Sequence, residues 1–223
     1  MFPLRDVNPR RGFPVVVVLI IIFNTIIFFQ YFDLPEKRVE LIFRIFGIVP
    51  AHIQLISLIT HQFLHGGLLH LISNMWALWI FGDNIEDRLG HLRFLLFYIL
   101  CGIFAGTIHA ITQTSSEVPC VGASGAISGI LGAYLVLYPG AQILCIIPII
   151  IYPYFVEIPA FLFGGIWFIL QLLNGLVVMA SSEDVAGVAW WAHIGGFLVG
   201  IFLLPFFLKQ ELPPQNPPDI PEV

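Results

Sequence analysis

The chain has 223 residues, 58% of them hydrophobic and 10% charged, against about 45–50% and about 25% in ordinary soluble domains. That balance excludes a water-soluble globule and predicts an all-α polytopic membrane protein, since several apolar runs approach the roughly 20 residues that cross a hydrocarbon core. The net charge of −5, with no basic run and no aromatic platform, argues against a nucleic-acid partner.

Residues 1–12, MFPLRDVNPRRG, read as a polar N-terminal tail containing Arg5, Arg10 and Arg11. PVVVVLIIIFNTIIFF follows as a first spanning helix, because the run is too long for a signal peptide and lacks a small-residue cleavage site. From 33 to 66 the charges of Asp33, Glu36, Lys37, Arg38, Glu40 and Arg44 interrupt the apolar stretches. That segment is expected to be a long, partly inserted loop. LLHLISNMWALWIFG, 68–82, gives a second helix ended by the polar DNIEDRLGHLR, and HLRFLLFYILCGIFAGTIHAI, 91–111, a third.

TQTSSEVPC is a loop, and GASGAISGILGAYLVLY, 122–138, a fourth helix stopped by Pro139 and Gly140. At about 1.5 Å rise per residue this helix is only about 25 Å long. With its C-terminal end at one membrane surface, Ser124 lies inside the bilayer. Beyond it, IIPIIIYPYF reads as an interfacial or re-entrant segment broken by prolines, and EIPAFLFGGIWFILQLLNGLVV as a fifth helix, with two spans over 142–180 as the alternative. SSEDVAG is a loop and AWWAHIGGFLVGIFLLPFFL a sixth helix. The membrane domain thus runs over 13–208, and the acidic, Pro-rich tail 209–223 is expected to be disordered.

Six spans leave both termini on one side. Arg5, Arg10, Arg11, Arg88, Arg93 and Lys209 gather there, against Lys37, Arg38 and Arg44 opposite, so the positive-inside rule predicts cytoplasmic termini. The N-terminus lacks the composition of a transit peptide, which points to the cell (plasma or inner) membrane, with the site opening to the outer side. Cys101, Cys120 and Cys145 are odd in number and without CxxC spacing, so they read as packing residues.

Within this frame GASG is ambiguous. Its Gly125 and Gly129, or Ser124, Ser128 and Gly132, form small-xxx-small patterns that let helices approach, while Ser124 is also a candidate nucleophile. A soluble esterase elbow is excluded, since position 126 is Ala and no strand precedes the motif. HQFLHGGLLHLISN carries His61, His65, His70 and Asn74. His70 and Asn74, four apart, share a helix face, where polar groups need a partner or water. Interhelical hydrogen bonding accounts for them as readily as chemistry does. A metal is disfavoured, because the cluster has no acidic partner and no HExxH pattern. No cofactor is implied.

In AHIGGFLVG, Gly196 and Gly200 predict a close crossing with the GASGAISG helix, which would bring His193 to Ser124. A packing histidine is the simpler alternative. Glu117, Glu157, Glu183 and Asp184 fall in loops or near helix ends, so none is an obvious third triad member. FGDN lacks the first glycine of GxGD, against an aspartyl intramembrane protease.

Together and in this order, HQFLHGGLLHLISN, GASGAISG and AHIGGFLVG resemble the rhomboid family of intramembrane serine proteases, over about residues 13–208. The resemblance implies a six-helix bundle with a long loop after the first helix and a short fourth helix starting inside the bilayer. It implies Ser124 as nucleophile, His193 as general base, and His70 and Asn74 as oxyanion stabilisers. His61 and His65 correspond to loop histidines thought structural or concerned with water, and Gly122, Gly125 and Gly196 support the site. The implied substrates are single-span transmembrane proteins in the lipid bilayer. One departure stands out: where some members place an aromatic four residues after the nucleophile, this chain has Ser128, whose hydroxyl is then a candidate for orienting His193. A non-proteolytic binder of transmembrane helices is the alternative. A transporter is disfavoured, since no internal repeat or pair of broken helices is evident.

Overall fold

The computed structural model describes residues 2–9, 12–149, 152–180 and 188–209. Among these described residues, eight α-helices follow in chain order: α1 (Val15–Tyr31), α2 (Glu36–Phe46), α3 (Ser57–Thr60), α4 (Leu68–Leu89), α5 (His91–Thr112), α6 (Ser124–Leu137), α7 (Ala160–Ala180) and α8 (Trp190–Phe207). Helices α5, α7 and α8 are long and apolar enough to cross a membrane, while α1 and α6 are apolar but shorter. The predicted loop over 33–66 contains α2 and α3 rather than irregular chain alone. The predicted loop SSEDVAG and the tail from 210 lie outside the described residues.

The expectation of an all-α chain needs correcting. Strands β1 (Phe2–Asp6), β2 (Gln142–Ile149) and β3 (Tyr152–Pro159) form an antiparallel sheet in the order β1-β2-β3. The described residues of the run read as interfacial or re-entrant thus lie in two antiparallel strands, and the N-terminal segment read as a tail supplies an edge strand. Ile, Val, Tyr and Phe favour the pleated surface, and closely spaced prolines disfavour a helix. Pro3 sits on the edge strand, and Pro148 faces Pro153 beyond the reach of β1, where no ladder N–H is required. Outside the sheet, Asp6 accepts from the Tyr134 hydroxyl of α6 at 2.6 Å, and the Trp76 indole of α4 donates to Pro3 O at 2.8 Å.

Helix α4 runs a further two turns past its predicted end at 82. The carboxylate of Glu86, only 2% exposed, accepts the N–H groups of Val16 and Val17, both at 2.9 Å. These are orphan donors of the first turn of α1, whose own cap, Pro14, offers no side-chain bond. A carboxylate at a helix N-terminus is favoured by both hydrogen bonding and the helix dipole. Glu86 is thus an inter-helix cap, and its place in the α1 seam draws the polar end of α4 into the helix. Gly90, at φ 78°, then turns the chain into α5.

Helices α6 and α8 meet backbone to backbone, as the glycine spacing predicts. A Cβ added at Gly196 would land on the carbonyl oxygen of Gly125, one at Gly200 on that of Gly129, and one at Gly132 on that of Phe197. On its other side α6 packs on α5, where Gly125 and Gly129 leave room for Ala105 and Cys101. Small residues permit this approach without large side chains holding the backbones apart.

Candidate active site

Ser124 is the first residue of α6, so its N–H and those just after it are free of intrahelical acceptors. The chain reaches it through Gly122, whose φ of 132° disfavours any L side chain. A Cβ there would also stand 2.8 Å from His70 Cε1 and Nε2. The Gly122 N–H donates to His61 O at 2.9 Å, which pins this entry to the long loop.

The close α6–α8 crossing sets the central contact. His193 Nε2 lies 2.7 Å from Ser124 Oγ, and both residues are half-buried. His193 Nδ1 lies 2.8 Å from Oε1 of Gln171, on α7. The Gln171 amide nitrogen faces Trp167 O at 3.3 Å, which directs its oxygen at the imidazole. An amide oxygen only accepts, so the Nδ1 proton is the donor, and the Nε2 lone pair is left to accept from the serine hydroxyl.

Ser128 does not orient His193. Its hydroxyl donates to Ser124 O at 2.6 Å within α6. The ring is instead flanked by Trp167, centroids 6.0 Å apart and tilted 33°, and by the edge of Trp190 at 6.3 Å.

His70 Nδ1 accepts from the Gly66 N–H at 3.3 Å, which leaves the proton on Nε2, beside Gly122. Asn74 Nδ2 donates one hydrogen to His70 O at 2.8 Å; an amide nitrogen carries a second. With Ser124, His193 and Trp167, these two residues line a cavity of about 1220 Å³ that extends to Phe2 and Pro3 of β1.

His61 and His65 do not reach Ser124. His61 Nδ1 lies 2.8 Å from Ser57 O, and burial pulls its imidazole from 6.5 to about 4. His65 is pulled to about 3, chiefly by burial and then by neighbouring His70, whose ring centroid is 5.2 Å away. Its backbone is latched by the Tyr31 hydroxyl, which accepts the His65 N–H at 2.7 Å and donates to its carbonyl at 3.0 Å. Both histidines brace the loop as neutral groups. Among the described residues no group of three or more His, Cys, Asp or Glu side chains could hold a metal ion.

Residues 52–210 match the family model described as the Rhomboid domain. The chain belongs to the rhomboid family. It is 31% identical to RHOMBOID-like protein 5 of Arabidopsis thaliana over 74% of this chain and 48% of that protein. It is 34% identical to RHOMBOID-like protein 6, mitochondrial, of the same plant, over 69% and 44%. Rhomboid protein 1, mitochondrial, of Saccharomyces cerevisiae is 32% identical over 66% and 40%. The chain spans less than half the length of these relatives. Two of their names carry a mitochondrial address, which overturns the expectation of a cell (plasma or inner) membrane and with it the cytoplasmic placement of the termini. Lysine and arginine counts report which side a loop faces, not which membrane holds it.

Sequence reasoning on this rhomboid missed Gln171, Trp167, Tyr31 and Glu86. The signal for Gln171 is present, since it is one of two amides, with Asn174, in the otherwise apolar run AFLFGGIWFILQLLNGLVVMA. A buried polar group in such a helix needs a partner on a neighbour. Which neighbour it meets depends on helix packing, which no local pattern encodes.

Proposed function

We propose that this rhomboid is an intramembrane serine endopeptidase that cleaves transmembrane segments of other proteins, with Ser124 as nucleophile and His193 as general base. The observation that carries the reading is the 2.7 Å contact between Ser124 Oγ and His193 Nε2 at the start of a short apolar helix. The neutral imidazole takes the hydroxyl proton as Oγ attacks the scissile carbonyl, then delivers it to the leaving amine. The developing oxyanion faces the Ser124 N–H at the positive end of α6, the second Asn74 hydrogen and the His70 Nε2–H. Such donors contribute roughly 3–4 kcal/mol each to the transition state. Water reaches the acyl-enzyme through the cavity shared by His70, Asn74 and Ser124.

In this reading α1, α4, α5, α6, α7 and α8 are six spans, and the membrane is mitochondrial, as the relatives' names suggest. Substrates are single-span helices with residues that unwind readily, because a peptide bond inside a hydrogen-bonded helix is shielded from attack. The test is cleavage of a single-span substrate in liposomes. Ser124→Ala should abolish it at an unchanged unfolding temperature, and a serine-reactive phosphonate should label only the native chain. Undiminished cleavage by the variant, or a native chain that neither cleaves nor is labelled, would refute the reading.

A further inference from the structure

We infer that Gln171 is a positioning residue that sets the tautomer and orientation of His193, so that the working unit is Ser124–His193–Gln171 and is drawn from three helices. The inference rests on the protease reading for its catalytic meaning but has its own structural basis. Gln171 Oε1 lies 2.8 Å from His193 Nδ1, on the ring nitrogen opposite the one 2.7 Å from Ser124 Oγ. Gln171 is 7% exposed, so water competes little for that Nδ1 proton.

The amide cannot turn round without loss. Its nitrogen lies against Trp167 O, one turn earlier on α7, and a flip would place oxygen against oxygen there. The same turn of α7 supplies the Trp167 ring beside the imidazole. One face of α7, at i and i+4, thus supplies both a hydrogen bond and a wall to the ring, and Ser128 supplies neither. Competence of the base therefore depends on α7 as well as on the α6–α8 crossing.

With Gln171 in place the neutral ring holds Nδ1–H and presents Nε2 as acceptor. Without it, the Nε2–H tautomer becomes accessible and cannot take the serine proton. A neutral amide does this without burying a second charge, unlike a carboxylate.

Three variants and two readouts test the assignment. Gln171→Met keeps length and apolar packing but has no acceptor, and kcat should fall about fivefold or more with KM unchanged, the change that losing about 1 kcal/mol of neutral hydrogen bond gives. Gln171→Glu restores an acceptor and should recover most of kcat, while Leu173→Met, on an exposed position of the same helix, should do nothing. In parallel, 15N spectra of histidine-labelled protein should show His193 as the Nδ1–H tautomer in the native chain and mixed in Gln171→Met. Wild-type kcat in Gln171→Met, or a native His193 protonated on Nε2, would overturn the proposal. The spectra read Gln171 even where Ser124 proves unreactive, so failure of the protease reading and failure of this assignment are told apart.

Discussion

Gly196→Ala offers the sharpest test of how packing creates the site. The added methyl would fall on the carbonyl oxygen of Gly125 and lie 3.3 Å from Ala105 Cβ. Two backbones cannot rotate away as a side chain can, so relief requires α8 to move off α6 by about 1.5 Å or more, given contact distances near 3.5–4.0 Å. His193 lies three residues before Gly196, on the same face of α8, so the shift acts directly on the 2.7 Å contact with Ser124. A displacement of that size lengthens it past hydrogen-bonding range. Overpacking costs about 1–3 kcal/mol in stability, and a misplacement of about 1 Å costs about 100-fold in rate. Activity should therefore fall by far more than the folded fraction does. The assay is cleavage of a single-span substrate in liposomes, paired with thermal unfolding in detergent. Gly165→Ala is the control, since a Cβ there meets nothing within 4 Å. A Gly196→Ala chain that cleaves at the native rate would refute the argument that backbone contact sets the serine–histidine distance.

Acid should destabilise the fold through the loop histidines. His61 and His65 titrate near 4 and 3 when folded against 6.5 ordinarily, so the unfolded chain binds the extra protons. Stability is complete above about pH 6.5 and falls with pH below it, by up to about 1.4 kcal/mol per pH unit and histidine, until about pH 4 for His61. Unfolding temperatures between about pH 7.5 and about pH 4.5 should show this slope, and His61→Gln should make it shallower. Identical slopes would count against the buried neutral state. Glu86→Ala strips the first turn of α1 of its acceptors and should cost about 3 kcal/mol, with Glu86→Gln costing less, read by chemical denaturation in micelles. Tyr31→Phe should cost about 1–3 kcal/mol, because it leaves the buried His65 N–H without its acceptor, and limited proteolysis of the loop should accelerate in step.

Much of this molecule is written in local pattern. Composition alone requires a membrane protein, because so few charges cannot cover a soluble surface. The helices at 91–111 and 122–138 were legible to within a residue or two, since apolar runs bounded by Gly and Pro leave little else possible. The glycines of GASGAISG and AHIGGFLVG announced a close crossing, and steric reach then implied Ser124 near His193. Three things were decided only in three dimensions. The paired strands Gln142–Ile149 and Tyr152–Pro159 recruit Phe2–Asp6 from the opposite end of the chain, and strand pairing over such a separation leaves no trace in either segment. The polar end of α4 stays helical because Glu86 finds the first turn of α1, a partner seventy residues away. Ser128 also read as an orienting group because it stands where some rhomboids place an aromatic, yet its hydroxyl satisfies the Ser124 carbonyl on its own helix, as serines in helices commonly do. The group that meets His193 comes from α7, since a ring nitrogen turned away from the serine can be reached only by whichever helix packs behind it.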